Sequence, residues 1–328
     1  MKRELALVLS LSLSLSLASP ALADFPEAVT EHILPGYARL AQDTQHLADL
    51  ALQSCAPEDL RPAYQTAFDA WMGVQHLRFG PVEKDRLGLA IAFWPDPKGS
   101  GTRAQMALLK GDPAQLQPEA FAQQSIAARG FFALERLLYP AADLPADPCP
   151  LIRATSADLA RVAGEVNDAW VNGFADTMLT AGEPGNTTYL TRPEVRQALF
   201  TQLATALEFT DDSRLGRPLG TFSAPRPERA EALASGRPLR NIILSLQAQR
   251  ALVLALTPDS PQTIAAFDHA LTLAEALDDP DLAGVAQPES RLKIEILQQA
   301  IKALRIVVLS ELGPELDVGI GFNAADGD

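Results

Sequence analysis

The sequence predicts an all-α protein built from two similar helical bundles packed together. Apolar residues recur at i, i+3, i+4 and i+7 along most of the chain, which is the spacing of one helix face. Alanine and leucine dominate the composition, aromatic residues make up only 6%, and residues 24–328 lack the alternating pattern of a half-buried strand. The 328 residues are enough for one large or two ordinary domains.

The first 23 residues have the composition of a secretory signal peptide. Lys2 and Arg3 give a positive start, residues 5–17 form an apolar Leu/Ser run, and Ala21-Leu22-Ala23 matches a cleavage site. The apolar run is shorter than the roughly 20 residues that span a bilayer. We therefore expect cleavage after Ala23, a periplasmic location and no membrane span in the mature chain.

The periodicity predicts a series of helices separated by proline- and glycine-rich breaks. They lie near residues 36–54, 57–79, 101–110, 118–139, 151–181, 192–213, 227–257 (interrupted at 236–238), 260–277 and 289–312. Prolines 57, 118, 193 and 261 stand at or near helix starts, where a missing N–H costs little. Pro35-Gly36 is expected to break or kink the first helix. The long, least helical stretch is 79–101, and such loops are often functional.

Turn-rich residues around 180–191 divide the mature chain into an N-terminal bundle (24–185) and a C-terminal bundle (186–328). The helix end Leu77-Arg78-Phe79-Gly80-Pro81 is similar to Arg214-Leu215-Gly216-Arg217-Pro218, and the helix at 118–139 would correspond to 238–257. These short matches have two interpretations: an internal duplication, or unrelated helix ends of similar composition.

The formal net charge is −14, from 41 acidic and 27 basic residues. No basic stripe interrupts this acidic surplus, so the composition argues against a nucleic-acid partner. An acidic chain attracts cations in a general way, but plain solubility explains the same charge.

Two cysteines, Cys55 and Cys149, remain in the mature chain. Both lie in proline-containing connections, Ser54-Cys55-Ala56-Pro57 and Pro148-Cys149-Pro150. In an oxidising compartment an even pair of cysteines predicts a single disulfide. Two cysteines alone cannot form a thiolate metal site.

Glu135 is the most informative residue, because it places a carboxylate in an apolar helix face. At about 100° per residue, Phe131, Glu135 and Leu138 project within one narrow sector. A carboxylate taken out of water normally has a specific partner. Two interpretations are open: Glu135 binds a ligand, or it pairs with an arginine from a neighbouring element. The possible donors are Arg78, Arg136 and Arg240.

Several segments together resemble the imelysin-like family. Its helical signature is G-x-H-x-x-E; Gly130 and Glu135 match it, whereas Phe132 occupies the His position. Residues 70–81 (AWMGVQHLRFGP) resemble the family's W…v-q-h-x-r-F-G-P segment, the loop Phe93–Gly99 resembles its W-P-D-x-K segment, and residues 319–328 resemble a G-F-N-x-x-D-G-D ending. The resemblance covers nearly the whole mature chain.

The resemblance implies an exported, all-α protein of two similar bundles, from a family linked with bacterial iron acquisition and once classed among metallopeptidases. It implies that the conserved residues cluster in a cleft near the domain interface. We expect that surface where Glu135, Arg78 at the end of helix 57–79, and Trp94 converge. For Trp94 a purely structural lid over the bundle end is the alternative.

A metal-dependent peptidase is poorly supported by the residues. The four histidines, 32, 46, 76 and 269, never show the i, i+4 spacing of zinc ligands, and Phe132 removes the family's own histidine. Binding of iron or another divalent metal without catalysis needs only carboxylate and imidazole donors. Candidate ligands are Glu135, His76, Asp69 and Asp326. A surface or helix-capping role is the alternative for His76.

These observations lead to one main hypothesis and two alternatives. The main hypothesis is a periplasmic, non-catalytic binding protein of a bacterial iron-uptake system, with iron or an iron-uptake component as its partner. The first alternative is a metal-dependent peptidase or hydrolase. The second is a structural or interaction scaffold for an outer-membrane partner.

Overall fold

The structure is a computed structural model that describes residues 24–318, and this part of the chain is all-α. Its α-helices are α1 (Phe25–Glu27), α2 (Leu34–Gln53), α3 (Pro57–Val74), α4 (Leu87–Ile91), α5 (Ser100–Lys110), α6 (Pro118–Ala122), α7 (Gly130–Leu138), α8 (Cys149–Ala169), α9 (Ala175–Leu179), α10 (Arg192–Phe209), α11 (Gly216–Leu219), α12 (Pro238–Leu256), α13 (Pro261–Glu275) and α14 (Pro288–Glu315). The predicted fold class is confirmed.

Short π-helical and 3₁₀ segments connect these helices. The π-helical turns are Ala28–Ile33, Trp170–Phe174 and Thr210–Leu215, and each continues directly from one α-helix into the next. The 3₁₀ turns are Gly80–Val82, Lys84–Arg86, Pro113–Leu116, Ile126–Ala128, Pro227–Arg229 and Ala283–Ala286. π-helical turns are rare and frequently mark functional sites.

The helices pack in two groups. In the first, α2 packs on α3 and α8, and α7 packs on the same two helices, which closes a ring of four. Its interior is aromatic, with Phe68 stacked on Phe131 at 4.6 Å between ring centroids. In the second group α14 packs between α10 and α13, and α13 packs on α12. Burial of both apolar faces supplies most of the driving force for folding.

The two groups share a junction rather than a linker. Helix α12 packs on α3, and the N-terminal segment α1 contacts both α10 and α12. Asp24 fixes that segment through paired hydrogen bonds from Arg196, both 2.7 Å long. The first residues that the structure describes therefore pack with the second half. The division at residue 185 and the internal duplication stay predictions.

The helix does not break at Pro35-Gly36; of the predicted break or kink, the break is wrong. Helical structure runs from Phe25 to Gln53 through the π-helical turn Ala28–Ile33, in which the Leu34 N–H donates to the carbonyl of Val29, and Pro35 follows directly after this turn. Gly36 serves packing instead, because a Cβ there would lie 2.5 Å from the side chain of Val74. The glycine allows α2 and α3 to approach closely.

The prediction of one helix over residues 118–139 is also wrong, because this segment forms two separate helices. α6 ends at Ala122 and α7 begins at Gly130, with a 3₁₀ turn between them. Gly130 has a φ of +72°, and a Cβ there would lie 2.2 Å from the carbonyl oxygen of Ile91. Both features require glycine at this position. The motif glycine therefore begins α7 and sets the direction in which Phe132 and Glu135 project.

Three further boundaries differ from the prediction. Of 227–257, only Pro238–Leu256 is α-helical, because the chain before Pro238 is irregular. Helix α3 ends at Val74, and residues 75–79 form a turn. The helix predicted at 192–213 continues through its π-helical turn to Leu219.

Cys55 and Cys149 form the predicted disulfide, with their Cα atoms 5.3 Å apart. It joins the connection before α3 to the first residue of α8. None of the helices within residues 24–318 is both long and apolar enough to cross a membrane.

We predict that removing the disulfide lowers the free energy of unfolding. The bridge spans 94 residues of sequence, and closing a loop of that length stabilises a fold by at most about 4–5 kcal/mol through loop entropy. Urea denaturation of residues 24–328 should show a lower midpoint for the Cys55→Ser/Cys149→Ser variant. Reductant should shift the wild type toward that midpoint and leave the variant unchanged; equal midpoints for oxidised and reduced wild type would contradict the prediction.

Candidate ligand-binding cleft

Three of the predicted site residues, Arg78, Trp94 and Glu135, lie around a cleft at the junction of the two helix groups. Asp69 and His76 line neither of its two cavities. Asp69 is paired with Arg237, and His76 lies within hydrogen-bond distance of His32. Asp326 lies outside the described residues.

Glu135 projects from α7 and is 7% exposed. Its Oε1 accepts hydrogen bonds from the Ser235 backbone N–H at 2.9 Å and from the Ser235 hydroxyl at 2.6 Å. Burial raises the pKa of Glu135 above its ordinary value, although the bonds from Ser235 act in the opposite direction. The expected arginine partner is wrong: within residues 24–318 no arginine forms an ion pair with this carboxylate.

Arg240, one of the arginines considered as a partner of Glu135, is paired with Asp69 instead. Arg237 donates to its Oδ1 at 2.7 Å, and Arg240 donates to both of its oxygens. Burial acts to raise the pKa of Asp69, but the hydrogen bonds from Arg240 and Arg237 outweigh it and lower the pKa below its ordinary value. Asp69 therefore joins α3 to the start of α12 and is not free to bind a ligand.

A buried polar chain extends this connection toward the cleft. The fully buried Arg237 donates to Asn241, Asn241 donates to Glu231 at 3.0 Å, and Arg214 donates to the same Glu231 oxygen at 2.7 Å. Arg214 then donates to Gln75 at 2.9 Å. This series of hydrogen bonds thus begins on α3, passes through the second helix group and returns to the end of α3.

His76 is buried, so its interpretation as a surface or capping residue is wrong. Its Nε2 lies 3.0 Å from Nε2 of His32, which projects from the π-helical turn Ala28–Ile33. Burial lowers the pKa of His32 to about 4. The pKa of His76 is also lowered, by burial, by His32 and by the charge of Arg214. The pair is therefore a hydrogen bond between neutral rings at neutral pH.

Trp94 stands at the centre of the cleft. Its ring is nearly parallel to Phe132, with centroids 6.5 Å apart, and meets the edge of Phe209 at 5.9 Å. The guanidinium of Arg217 lies 5.7 Å from the same ring. Asp96 holds the Trp94 loop by accepting bonds from the N–H groups of residues 100 and 101, at the start of α5.

The Trp94–Phe132 pair lines two adjoining cavities. The first, of about 260 Å³, is mainly apolar and aromatic. It is lined by Trp71, Gln75, Leu77, Arg78, Val82, Glu83, Arg86, Gly88, Leu89, Ala92, Trp94, Phe132, Phe209 and Glu231. The second, of about 490 Å³, is more open and contains Glu135, Arg136 and Arg217. Phe132 therefore occupies the wall between the cavities, where the imelysin-like pattern has histidine.

The residues around Glu135 do not fit the metal that the resemblance implies. Position 132 supplies a phenyl ring, and Oε1 of Glu135 already accepts two hydrogen bonds. Within residues 24–318 no three His, Cys, Asp or Glu side chains converge as a ligand set. Protein metal sites usually need at least three such donors. No chemical step is therefore assigned to a metal at this position.

Sequence reasoning missed several residues of the cleft and its supports: His32, Gln75, Arg214, Glu231 and Ser235. Gly236 and Pro238 do interrupt the predicted helix at 227–257, which marks 231–237 as irregular. No local pattern identifies the partners of these residues, because the Gln75–Arg214 bond joins positions 139 residues apart.

Comparison with known proteins gives one family and two similar folds. The Imelysin (Peptidase M75) family model matches residues 33–308. An imelysin-like protein from Psychrobacter arcticum 273-4 is 18% identical, with a TM-score of 0.75 over 92% of this chain and 99% of that one. A structure described as an iron-regulated protein A precursor from Parabacteroides distasonis ATCC 8503 is 15% identical, with a TM-score of 0.59 over 89% and 95%. No curated protein matches the sequence. At these identities the likeness concerns the fold alone.

We predict that Glu135→Gln does not destabilise the fold at neutral pH. Because the pKa of Glu135 is raised, the stability contributed by its protonated form is present below the unfolded pKa and is lost as pH rises through the folded pKa. Gln keeps the shape and stays neutral. The free energy of unfolding of the variant should therefore rise relative to that of the wild type as pH rises from 4 to 8. Urea denaturation across that range measures the difference. A loss of about 3–5 kcal/mol at pH 7 would instead indicate a buried ion pair.

We further predict that Phe132→His creates no metal site. Glu135 remains bonded to Ser235, and no third ligand lies among the described residues. The variant should retain no more zinc or ferrous iron after dialysis than Phe132→Leu, which controls for lost packing against Phe68 and Trp94. Metal analysis provides the measurement. Stoichiometric retention by the His variant alone would show that a ligand set is present.

Proposed function

The chain belongs to the imelysin family, and on this premise we propose that it is an exported, non-catalytic binding protein of a bacterial iron-uptake system. The observation that carries the proposal is the cleft around Trp94. Ligand sites are typically concave and largely apolar, with a few polar groups that orient the ligand. The 260 Å³ cavity has this composition.

The state of Glu135 supports a non-catalytic role. A hydrolytic metal centre needs an open metal position and a general base within reach of the attacking water. Here Glu135 is bonded to Ser235, and Phe132 packs between Trp94 and Phe68. The carboxylate therefore shapes the boundary of the second cavity.

Two observations support the connection with iron and with export. One of the similar folds carries the description iron-regulated protein A precursor. Residues 1–23 have the composition of a signal peptide, and the disulfide Cys55–Cys149 suits an oxidising compartment. Since the donors near Glu135 do not fit a bare metal ion, we propose that the cleft takes iron as a complex with an organic chelator.

We predict that protein comprising residues 24–328 binds a ferric complex in the first cavity. Ferric citrate is the first probe, with ferrous iron and zinc chloride compared in parallel. Binding should change tryptophan fluorescence, because Trp71 and Trp94 line the cavity. Ala92→Trp fills the cavity and should abolish binding, whereas Ala38→Trp, on an exposed position of α2, should not.

Two outcomes would contradict the proposal. One is that no ferric complex from a panel of carboxylate and catecholate chelators binds. The other is hydrolysis of a casein or peptide substrate that disappears in Glu135→Gln, since that result would identify a catalytic carboxylate.

A further inference from the structure

Arg78 is an exposed arginine at the edge of the first cavity. Within residues 24–318 its guanidinium forms no ion pair and no hydrogen bond, although the protein carries a net charge of −14. Only its backbone is engaged, donating to Gln202 at 2.9 Å. By contrast, Arg214 and Arg237, which lie deeper in the same junction, are fully paired with carboxylate and amide oxygens.

The Arg78 side chain is held in place although it has no acceptor. Its Cζ lies 4.2 Å from the ring centroid of Phe209, which is the geometry of a cation–π contact. Partial desolvation by the surrounding side chains and the charge of the neighbouring Arg214 lower the pKa of Arg78 to about 10, so the group stays cationic at neutral pH. A preorganised guanidinium loses less conformational entropy when it binds an anion.

The cavity beside Arg78 has the shape and surface for a small aromatic ring. Trp71, Trp94, Phe132 and Phe209 all line it, and Trp94 meets the edge of Phe209 at an interplanar angle of 83°. Aromatic rings bind one another through offset or edge-to-face contacts of this kind. A volume of about 260 Å³ is below the range typical of drug-sized ligands, which favours a single ring over a large macrocycle.

Two arginines of the lining, Arg78 and Arg86, form no ion pair within residues 24–318, and of these two Arg78 is the one held over an aromatic ring of the cavity, Phe209. Glu231 also lines the cavity, but Arg214 and Asn241 already neutralise and satisfy it. Glu83 and Arg86 are exposed residues of the lining, as Arg78 is, and they form no ion pair with each other. A bare metal cation would be repelled by Arg78, whereas a guanidinium can donate two parallel hydrogen bonds to a carboxylate.

We propose that the first cavity binds a planar aromatic carboxylate, with its carboxylate on the Arg78 guanidinium and its ring among Trp94, Phe132 and Phe209. The proposal rests on the proposed function in one respect: such a group would be the part of an iron chelator that enters the cleft. It assigns Arg78 a binding role and no catalytic one.

Benzoate and benzamide test the proposal, because they share a ring and differ in charge. Isothermal titration of residues 24–328 should show that benzoate binds about tenfold or more tighter than benzamide, as expected for a hydrogen bond to a charged group. Arg78→Gln should weaken benzoate binding by about tenfold or more and leave benzamide within about twofold. Arg39→Gln removes an exposed arginine of α2 that lines neither cavity, and it should change benzoate binding by no more than about twofold.

Thermal unfolding of each variant checks that it is folded. If Arg78→Gln does not fold, Arg78→Lys keeps the charge without the planar fork and should still weaken benzoate binding. Equal binding of benzoate and benzamide, no detectable binding of either, or unchanged benzoate binding in a folded Arg78 variant would overturn the proposal. Binding of ferric complexes is measured separately, so failure with benzoate alone leaves the proposed function standing.

Discussion

The structure depends on satisfying two buried arginines at the junction of the helix groups. Arg237 is paired with Asp69 of α3 and Asn241 of α12, and Arg214 is paired with Glu231 and with Gln75 beyond α3. A buried guanidinium left without acceptors would cost several kcal/mol. Because the acceptors come from both groups, these hydrogen bonds fix the position of one group against the other. Apolar packing alone would allow the two helix groups to shift further against each other.

That constraint also shapes the cleft. Gln75 accepts a hydrogen bond from Arg214 three residues before Arg78, so the end of α3 is held while the Arg78 side chain remains available. Glu231 is held from the other side and presents its carboxylate to the same cavity. Buried polar networks of this kind are favourable only when fully satisfied. The cleft combines such a satisfied support with several aromatic rings and with the Arg78 guanidinium over Phe209.

Phe132 changes the character of the position at which the family pattern has histidine. Its ring packs on Phe68 and beside Trp94, which turns a potential ligand position into part of an apolar wall between two cavities. Glu135, one turn further along α7, then bonds with Ser235 and keeps a raised pKa. The same backbone framework therefore supports a cleft whose lining combines aromatic rings with arginines.

The sequence by itself determined what depends on local spacing or on simple counting. Helical periodicity predicted the all-α class because side chains three and four residues apart share a face, and two cysteines allowed only the Cys55–Cys149 disulfide. Tertiary structure decided what depends on distant partners. The break before Gly130 follows from its approach to the Ile91 carbonyl, and Glu135 meets Ser235 100 residues away in sequence. Such contacts arise from how helices pack, and no local pattern records them.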